Sequence, residues 1–186
     1  MPTPARTSRD EIVSAARTIL EAEGPDGLTM QRVAIAVGVR APSLYKHVRS
    51  RGELVHLVLE DAGAHLADEV GGAIGSGDHR RDLEALARAF RQFAHRHPSA
   101  YGLLFANLPD DWRPSQTTLA PATDALFATV VGLAGPDRAL EGSRMVAAWA
   151  HGFITMELAG AFRLGGDVDD AFSYGIDRLA SALRAA

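Results

Sequence analysis

Between Leu28 and Gly52 the chain carries five basic side chains, Arg32, Arg40, Lys46, Arg49 and Arg51, and no acid. Cations without interleaved carboxylates suit a phosphate polyanion. The whole chain has 186 residues and a net charge of −4, so this stretch is +5 and the remainder sums to −9 (−4 minus +5). The acidic total therefore does not exclude nucleic acid. Segregated charge draws a polyanion to one end and repels it from the other. Lys46 is the only lysine, so the composition favours arginine everywhere and an arginine count alone carries no function.

Other chemistries find little support. The absence of cysteine removes disulfides, thiolate zinc sites and a cysteine nucleophile, and fits a reducing compartment. His95-Arg96-His97 invites a metal reading, but helical neighbours two apart diverge and no carboxylate stands at a supporting spacing. Asp110-Asp111 and Asp169-Asp170 read as loop or helix-start acids. There is no phosphate-binding glycine loop and no GxSxG nucleophile turn. We therefore expect no catalytic residue, no metal ligand and no cofactor. Met1–Arg9 is polar and lacks the apolar stretch of a signal peptide. Residues 145–162 are apolar between Arg144 and Arg163, but they include His151 and Glu157, and a mid-bilayer glutamate is costly. They read as a buried helix, and the chain as a cytoplasmic one with no membrane partner.

The elements that position the basic stretch are helical. With 47% hydrophobic residues the chain can bury a core, and periodicity near 3.6 runs throughout, with no strand-like alternation. The expected fold class is all-α with nine helices. Ser8 and Glu11 form a capping box for the first, which Gly24-Pro25-Asp26-Gly27 ends. Thr29 caps a short second helix closed by Gly38, and a third runs over 41–47 with Pro42 in its first turn. Ser50 and Glu53 form a further capping box for a longer fourth helix, which fades into the glycine-rich stretch 71–77. Helices follow over 78–97, 98–108, 116–134, 138–163 and 167–184.

Within this plan Ala34, Gly38 and Leu44 stand at i, i+4 and i+10, the mechanical spacing of a helix-turn-helix. A small residue admits the second helix, glycine makes the turn, and leucine anchors the second helix in the core. With Leu44 and Val48 inward, Ala41, Pro42, Ser43, Lys46 and His47 fall on outer and flanking faces, near the helix start that enters a major groove. An ordinary helical hairpin has the same spacing, and the acid-free charge is what separates the two.

Gly27-Leu28-Thr29, Val33-Ala34, Gly38-Val39, Pro42-Ser43-Leu44-Tyr45-Lys46-His47-Val48 and Ser50-Arg51-Gly52-Glu53-Leu54 together resemble the N-terminal DNA-binding domain of TetR-type transcriptional repressors. Trp149-Ala150-His151-Gly152 resembles the Trp-His-Gly signature of one C-terminal subgroup. The resemblance implies a helix-turn-helix domain over 8–52 and a ligand-binding and dimerisation bundle over 53–186, with helix 4 as the linker. It assigns Gln31, Ala41, Pro42 and Ser43 to base edges, where Gln can pair with adenine and apolar groups meet a thymine methyl. Thr29, Tyr45, Lys46, His47 and Arg51 match phosphate-contacting or flanking positions. Arg40 departs from the pattern, since the family often has Ser or an acid there; it is expected to add a contact to a base or to a phosphate.

The implied partners are double-stranded operator DNA, palindromic because a homodimer reads two half-sites, and a small-molecule inducer in the C-terminal bundle. The ligand-lining candidates are Phe93, Tyr101, Phe105, Trp112, Trp149, His151, Phe153 and Met156, within a wider aromatic set that includes Phe90, Phe127 and Phe162. His95 and Glu157 are available to orient a polar group. The expected dimer seam is the apolar face of 138–163 with Phe172, Ile176, Leu179 and Leu183, where Gly152 and Gly160 would permit close approach. The lesser alternative is that the same face is core of one chain. A competing function is an all-α ligand-binding or enzymatic protein that no longer reads DNA.

Overall fold

The structure, a computed structural model, describes residues 7–184. Most of the polar stretch Met1–Arg9 therefore lies outside the described residues. Among those described there are nine α-helices and no strand: α1 (Arg9–Gly27), α2 (Met30–Ala36), α3 (Ala41–Leu44), α4 (Arg51–Gly72), α5 (His79–Arg96), α6 (Pro98–Leu104), α7 (Gln116–Ala134), α8 (Ala139–Leu158) and α9 (Val168–Arg184). Short 3-10 turns occupy Asp110–Trp112 and Pro136–Arg138. The chain divides into two compact units, one of residues up to Ala64 with His97–Thr118, the other of His65–Arg96 with the residues from Leu119 onward.

In the first unit the expected caps set the helix starts. The Ser8 hydroxyl accepts from the Glu11 N–H at 3.1 Å while the Glu11 carboxylate accepts from the Ser8 N–H at 2.9 Å, and Thr29 accepts from the Arg32 N–H at 3.3 Å. Inward residues recur at four-residue intervals along α1: Ile12, Ala16 and Leu20 are fully buried, as are Leu28, Val33, Leu44, Val48, Leu54 and Val58 of the same unit. Each large side chain so buried contributes about 1.5–3 kcal/mol before conformational entropy is counted. Glu21 of α1 reaches α6 and accepts from the Ser99 and Ala100 N–H groups, both at 3.0 Å. A negative charge thus satisfies the open amides of a helix start.

Two expectations here need correction. The third helix is α-helical only over Ala41–Leu44, and a run of single turns carries the chain from there to Val48. At the start of α4 the Ser50 hydroxyl does accept from the Glu53 N–H. The Glu53 carboxylate does not return to Ser50 but takes the Arg49 N–H at 2.7 Å and the Arg49 side chain at 3.1 Å, so the cap is shifted by one residue.

In the second unit α5, α8 and α9 pack on one another around Leu83, Phe93, Val146, Ile154, Phe172 and Ile176. Residues 138–163 are not one helix. Pro136–Arg138 is a 3-10 turn, and α8 ends at Leu158. Gly160, at φ +63°, donates to the Glu157 carbonyl while Ala161 donates to Met156. That pair of bonds is a Schellman stop, so Gly160 ends a helix rather than lining a seam. Phe172, Ile176 and Leu183 are at most 5% exposed within the single chain and form its own core. Close helix approach occurs instead at Gly142 and Gly175, where an added Cβ would lie 2.7 Å from Leu183 and 2.1 Å from Trp149. The outward face of α8 carries Met145, Ala148, Gly152 and Met156. Among the described residues α7, not 145–162, is the helix long and apolar enough to cross a membrane by length and composition.

Gly38→Ala should cost roughly 1–2 kcal/mol through its positive φ, and Leu44→Ala roughly 2–5 kcal/mol through its cavity. Urea unfolding of the two variants measures both; unchanged midpoints would contradict the packing given for the turn.

Candidate nucleic-acid interface

The basic stretch folds around a single turn. Gly38 at φ +71° donates to Ile35, and Val39 donates to Ala34 at 2.9 Å, again a Schellman stop. Ala34 is 2% exposed and Leu44 fully buried, so the small-glycine-leucine spacing has its mechanical role. Pro42 stands in the first turn of α3, where its missing N–H leaves no bond unmade. The interface candidates then face outward. Gln31, Arg40, Pro42, Tyr45, Lys46 and His47 are exposed, and Thr29, Ala41, Ser43 and Arg51 are half-buried. Tyr45 is 51% exposed and is no packing aromatic.

The five cations are not equivalent. Arg32 pairs with Glu23 and Arg49 with Glu53, and neither acid lies inside the stretch whose sequence charge is +5. Counting both gives a local balance of +3 (5 minus 2). Arg51 uses Nε on the Leu28 carbonyl at 2.9 Å and a terminal nitrogen on Pro25 at 2.7 Å, so it fastens the α1–α2 turn to the start of α4. Arg40 and Lys46 have no ion pair among the described residues.

The first three turns of α4 are held by the segment 107–118, which the sequence did not flag. The Trp112 ring lies against Gly52, where a Cβ would sit 2.3 Å from the indole nitrogen, and its centroid is 5.5 Å from the Arg51 guanidinium. One helical turn on, His56 Nδ1 is 2.7 Å from the Arg113 carbonyl. Glu60 follows, accepting from the Ser115 N–H at 2.6 Å and from the Thr118 hydroxyl. Burial pushes Glu60 upward, but the Thr118 and Ser115 bonds outweigh it and hold the carboxyl below its usual range. The Arg49 N–H does the same for Glu53, against a smaller upward effect of burial. A buried glycine near a helix start, where alanine would be the better helix former, was the one available signal.

The ligand-lining candidates are divided between the two units. Tyr101, Phe105 and Trp112 belong to the first unit, and Phe93, Trp149, His151, Phe153 and Met156 to the second. In the second unit Trp149, Phe153, Phe162 and Phe172 form a cluster of tilted and edge-on rings with centroids 4.7–5.5 Å apart. A cleft of about 720 Å³ in the same unit is bordered mostly by charged and polar residues; none of the eight candidates borders it, whereas His95 and Glu157 do.

A family model described as bacterial regulatory proteins, tetR family, matches residues 12–58, and one described as a tetracyclin repressor-like C-terminal domain matches residues 83–179. An uncharacterized HTH-type transcriptional regulator of Mycobacterium tuberculosis is 32% identical over 190 residues, which take in 97% of this chain and 83% of that one. A solved protein with unknown function from Rhodococcus superposes with a TM-score of 0.81 at 24% identity, covering 98% of this chain and 100% of that one. A TetR variant from Acinetobacter baumannii in complex with minocycline gives 0.73 at 21% identity, with 97% and 98% covered. At these identities the two structures are likenesses of fold.

Gly52→Ala should lower stability, and should cost much less in a Trp112→Ala background, where the clashing ring is gone; a double-mutant cycle by thermal unfolding reads this coupling. Additive effects would mean the ring does not constrain position 52. Because Glu53 titrates lower in the folded chain, its contribution is complete above the ordinary carboxylate pKa and is lost as pH falls through the folded value. An acid titration of wild type should show this loss, and Glu53→Gln should lack it.

Proposed function

Since the chain belongs to the TetR family of bacterial regulatory proteins, and is thus a helix-turn-helix transcriptional regulator, we propose that it is a homodimeric repressor released from a palindromic operator by a small molecule. The observation that carries the DNA half of this reading is the anchored turn at Gly38, which leaves Arg40 and Lys46 exposed without ion-pair partners beside the start of α3. Residues 8–52 are the reading domain and 53–186 the ligand-binding and dimerisation part, with α4 as the linker.

Gln31, Ala41, Pro42 and Ser43 contact bases in this reading. Thr29, Tyr45, Lys46 and His47 contact or flank phosphate, and Arg40 adds a phosphate contact. Arg51 keeps one terminal nitrogen for DNA while its other donors hold the α1–α2 turn. The outward face of α8, with Met145, Ala148, Gly152 and Met156, supplies the dimer seam; a stripe of small and flexible apolar residues suits a self-complementary contact. In this reading the Trp149-Ala150-His151-Gly152 stretch, which lies on α8, is the signature of the Trp-His-Gly subgroup. Trp112, His56 and Glu60 tie the segment 107–118 to the first turns of α4, so a ligand that displaces this segment would shift the recognition elements. The chain acts in the cytoplasm and has no catalytic residue.

DNA selected from a random duplex library tests the reading by gel shift. Lys46→Ala and Arg40→Ala should weaken binding to all sequences and flatten the salt slope by about one each, whereas Gln31→Ala and Ser43→Ala should relax preference at single base pairs. Failure to select any salt-sensitive site would sink the repressor reading.

A further inference from the structure

Arg88, Arg91, Gln92 and His95 recur at three- and four-residue spacing on one face of α5, and this face forms a wall of the 720 Å³ cleft. Such a volume lies within the range of small-molecule sites. The opposite side consists of Glu157 near the end of α8 and of Asp169, Phe172 and Ser173 at the start of α9. All of it belongs to the second unit.

Two features distinguish the cleft from a groove closed by ion pairs. Arg91 serves two carboxylates of very different standing. Its Nε donates to Glu157 at 2.8 Å, and a terminal nitrogen reaches Glu157 and also Asp169, the latter at 2.6 Å. The Glu157 side chain is 12% exposed and is also 3.1 Å from His95 Nε2, whereas that of Asp169 is 80% exposed. Glu157 is thus a fixed partner of Arg91, and the bonds from Arg91 keep its own carboxyl below the usual range. Asp169 is a carboxylate resting on the solvent side of the same guanidinium, and exposed pairs of this kind contribute little. The side chains of Arg88, Gln92 and Ser173, which also border the cleft, make no hydrogen bond or ion pair among the described residues. The cleft therefore offers an uncompensated guanidinium, an amide and a hydroxyl beside an exchangeable carboxylate.

We propose that this cleft binds a small organic carboxylate with an apolar body. The ligand's carboxylate replaces Asp169 on Arg91 and takes a second charge-assisted bond from Arg88. Gln92 and Ser173 supply neutral donors. The apolar body lies along the methylene stem of the exposed Arg88, while the buried Phe172 ring, 4.9 Å from the Arg91 guanidinium, backs the site from within. Exchange of one carboxylate for another conserves the charge balance at Arg91, and Arg88 supplies the net gain. Identifying this ligand as the inducer rests on the repressor reading above; its binding to the cleft does not.

Calorimetric titration of the DNA-free full chain with 2-naphthoate and with its uncharged analogue 2-naphthamide tests the site. Naphthoate should bind saturably and the amide roughly tenfold more weakly, the value of one charge-assisted bond. Arg88→Gln, a change at an exposed position, should weaken naphthoate by a similar factor. Asp169→Asn should tighten it several-fold, because the internal competitor is gone; a purely structural Asp169 would give no change or a loss. Equal binding of acid and amide, or no saturable naphthoate binding by wild type and Asp169→Asn alike, would overturn the proposal. Naphthoate binding without release of selected DNA supports the cleft and counts against its role as the inducer site.

Discussion

The reading end of this protein depends on the turn at Gly38. A helix of four residues cannot hold itself, since nucleation costs more than one or two backbone bonds return. The orientation of α3 is therefore imposed from outside, by a left-handed glycine that ends α2 with two reverse bonds and by the full burial of Leu44 and Val48. Every outward residue from Arg40 to His47 inherits its direction from those constraints. The Arg51 guanidinium adds the third fixed point, joining the α1–α2 turn to the start of α4 through the Leu28 and Pro25 carbonyls.

Charge acts on this scaffold in a graded way. The stretch is +5 by sequence, yet Glu23 and Glu53 fold back onto Arg32 and Arg49. What remains beside the recognition elements is a smaller field concentrated on Arg40 and Lys46. Partial internal pairing has a use: it prevents like charges from pushing the small domain apart while leaving cations where a polyanion would lie. Within this stretch the lone lysine and the arginine that departs from the family pattern are thus the two cations whose side chains make no hydrogen bond or ion pair among the described residues.

The same device, a glycine with positive φ closing a helix, recurs at Gly160 and cuts α8 short of the length its apolar run suggests. Stopping there places Glu157 near a helix end opposite Arg91 and His95, and lets the chain turn into α9. The polar cleft between α5 and the two last helices is a consequence. Had the apolar run continued as one helix to residue 163, Glu157 would stand in mid-helix and the chain would enter α9 later. Trp149 and Phe153 of α8 pack against Phe172 of α9, and Phe153 also packs against Phe162.

Fold class, helix starts and the helix-turn-helix were legible in the sequence because they rest on local rules: Ser8 with Glu11, Thr29, the small-glycine-leucine spacing, and Gly38 itself. These act within a few residues, so linear spacing contains them. The seam at Phe172, Ile176 and Leu183 was misread because periodicity says that a face is apolar, not what covers it, and here the covering comes from the same chain. The Trp112 contact on Gly52, the Glu21 cap on α6 and the cleft at Arg91 join residues about 60 to 80 positions apart. No local pattern encodes such pairs; only the packing of the helices decides which carboxylate meets which guanidinium, and so which cations are left for a ligand.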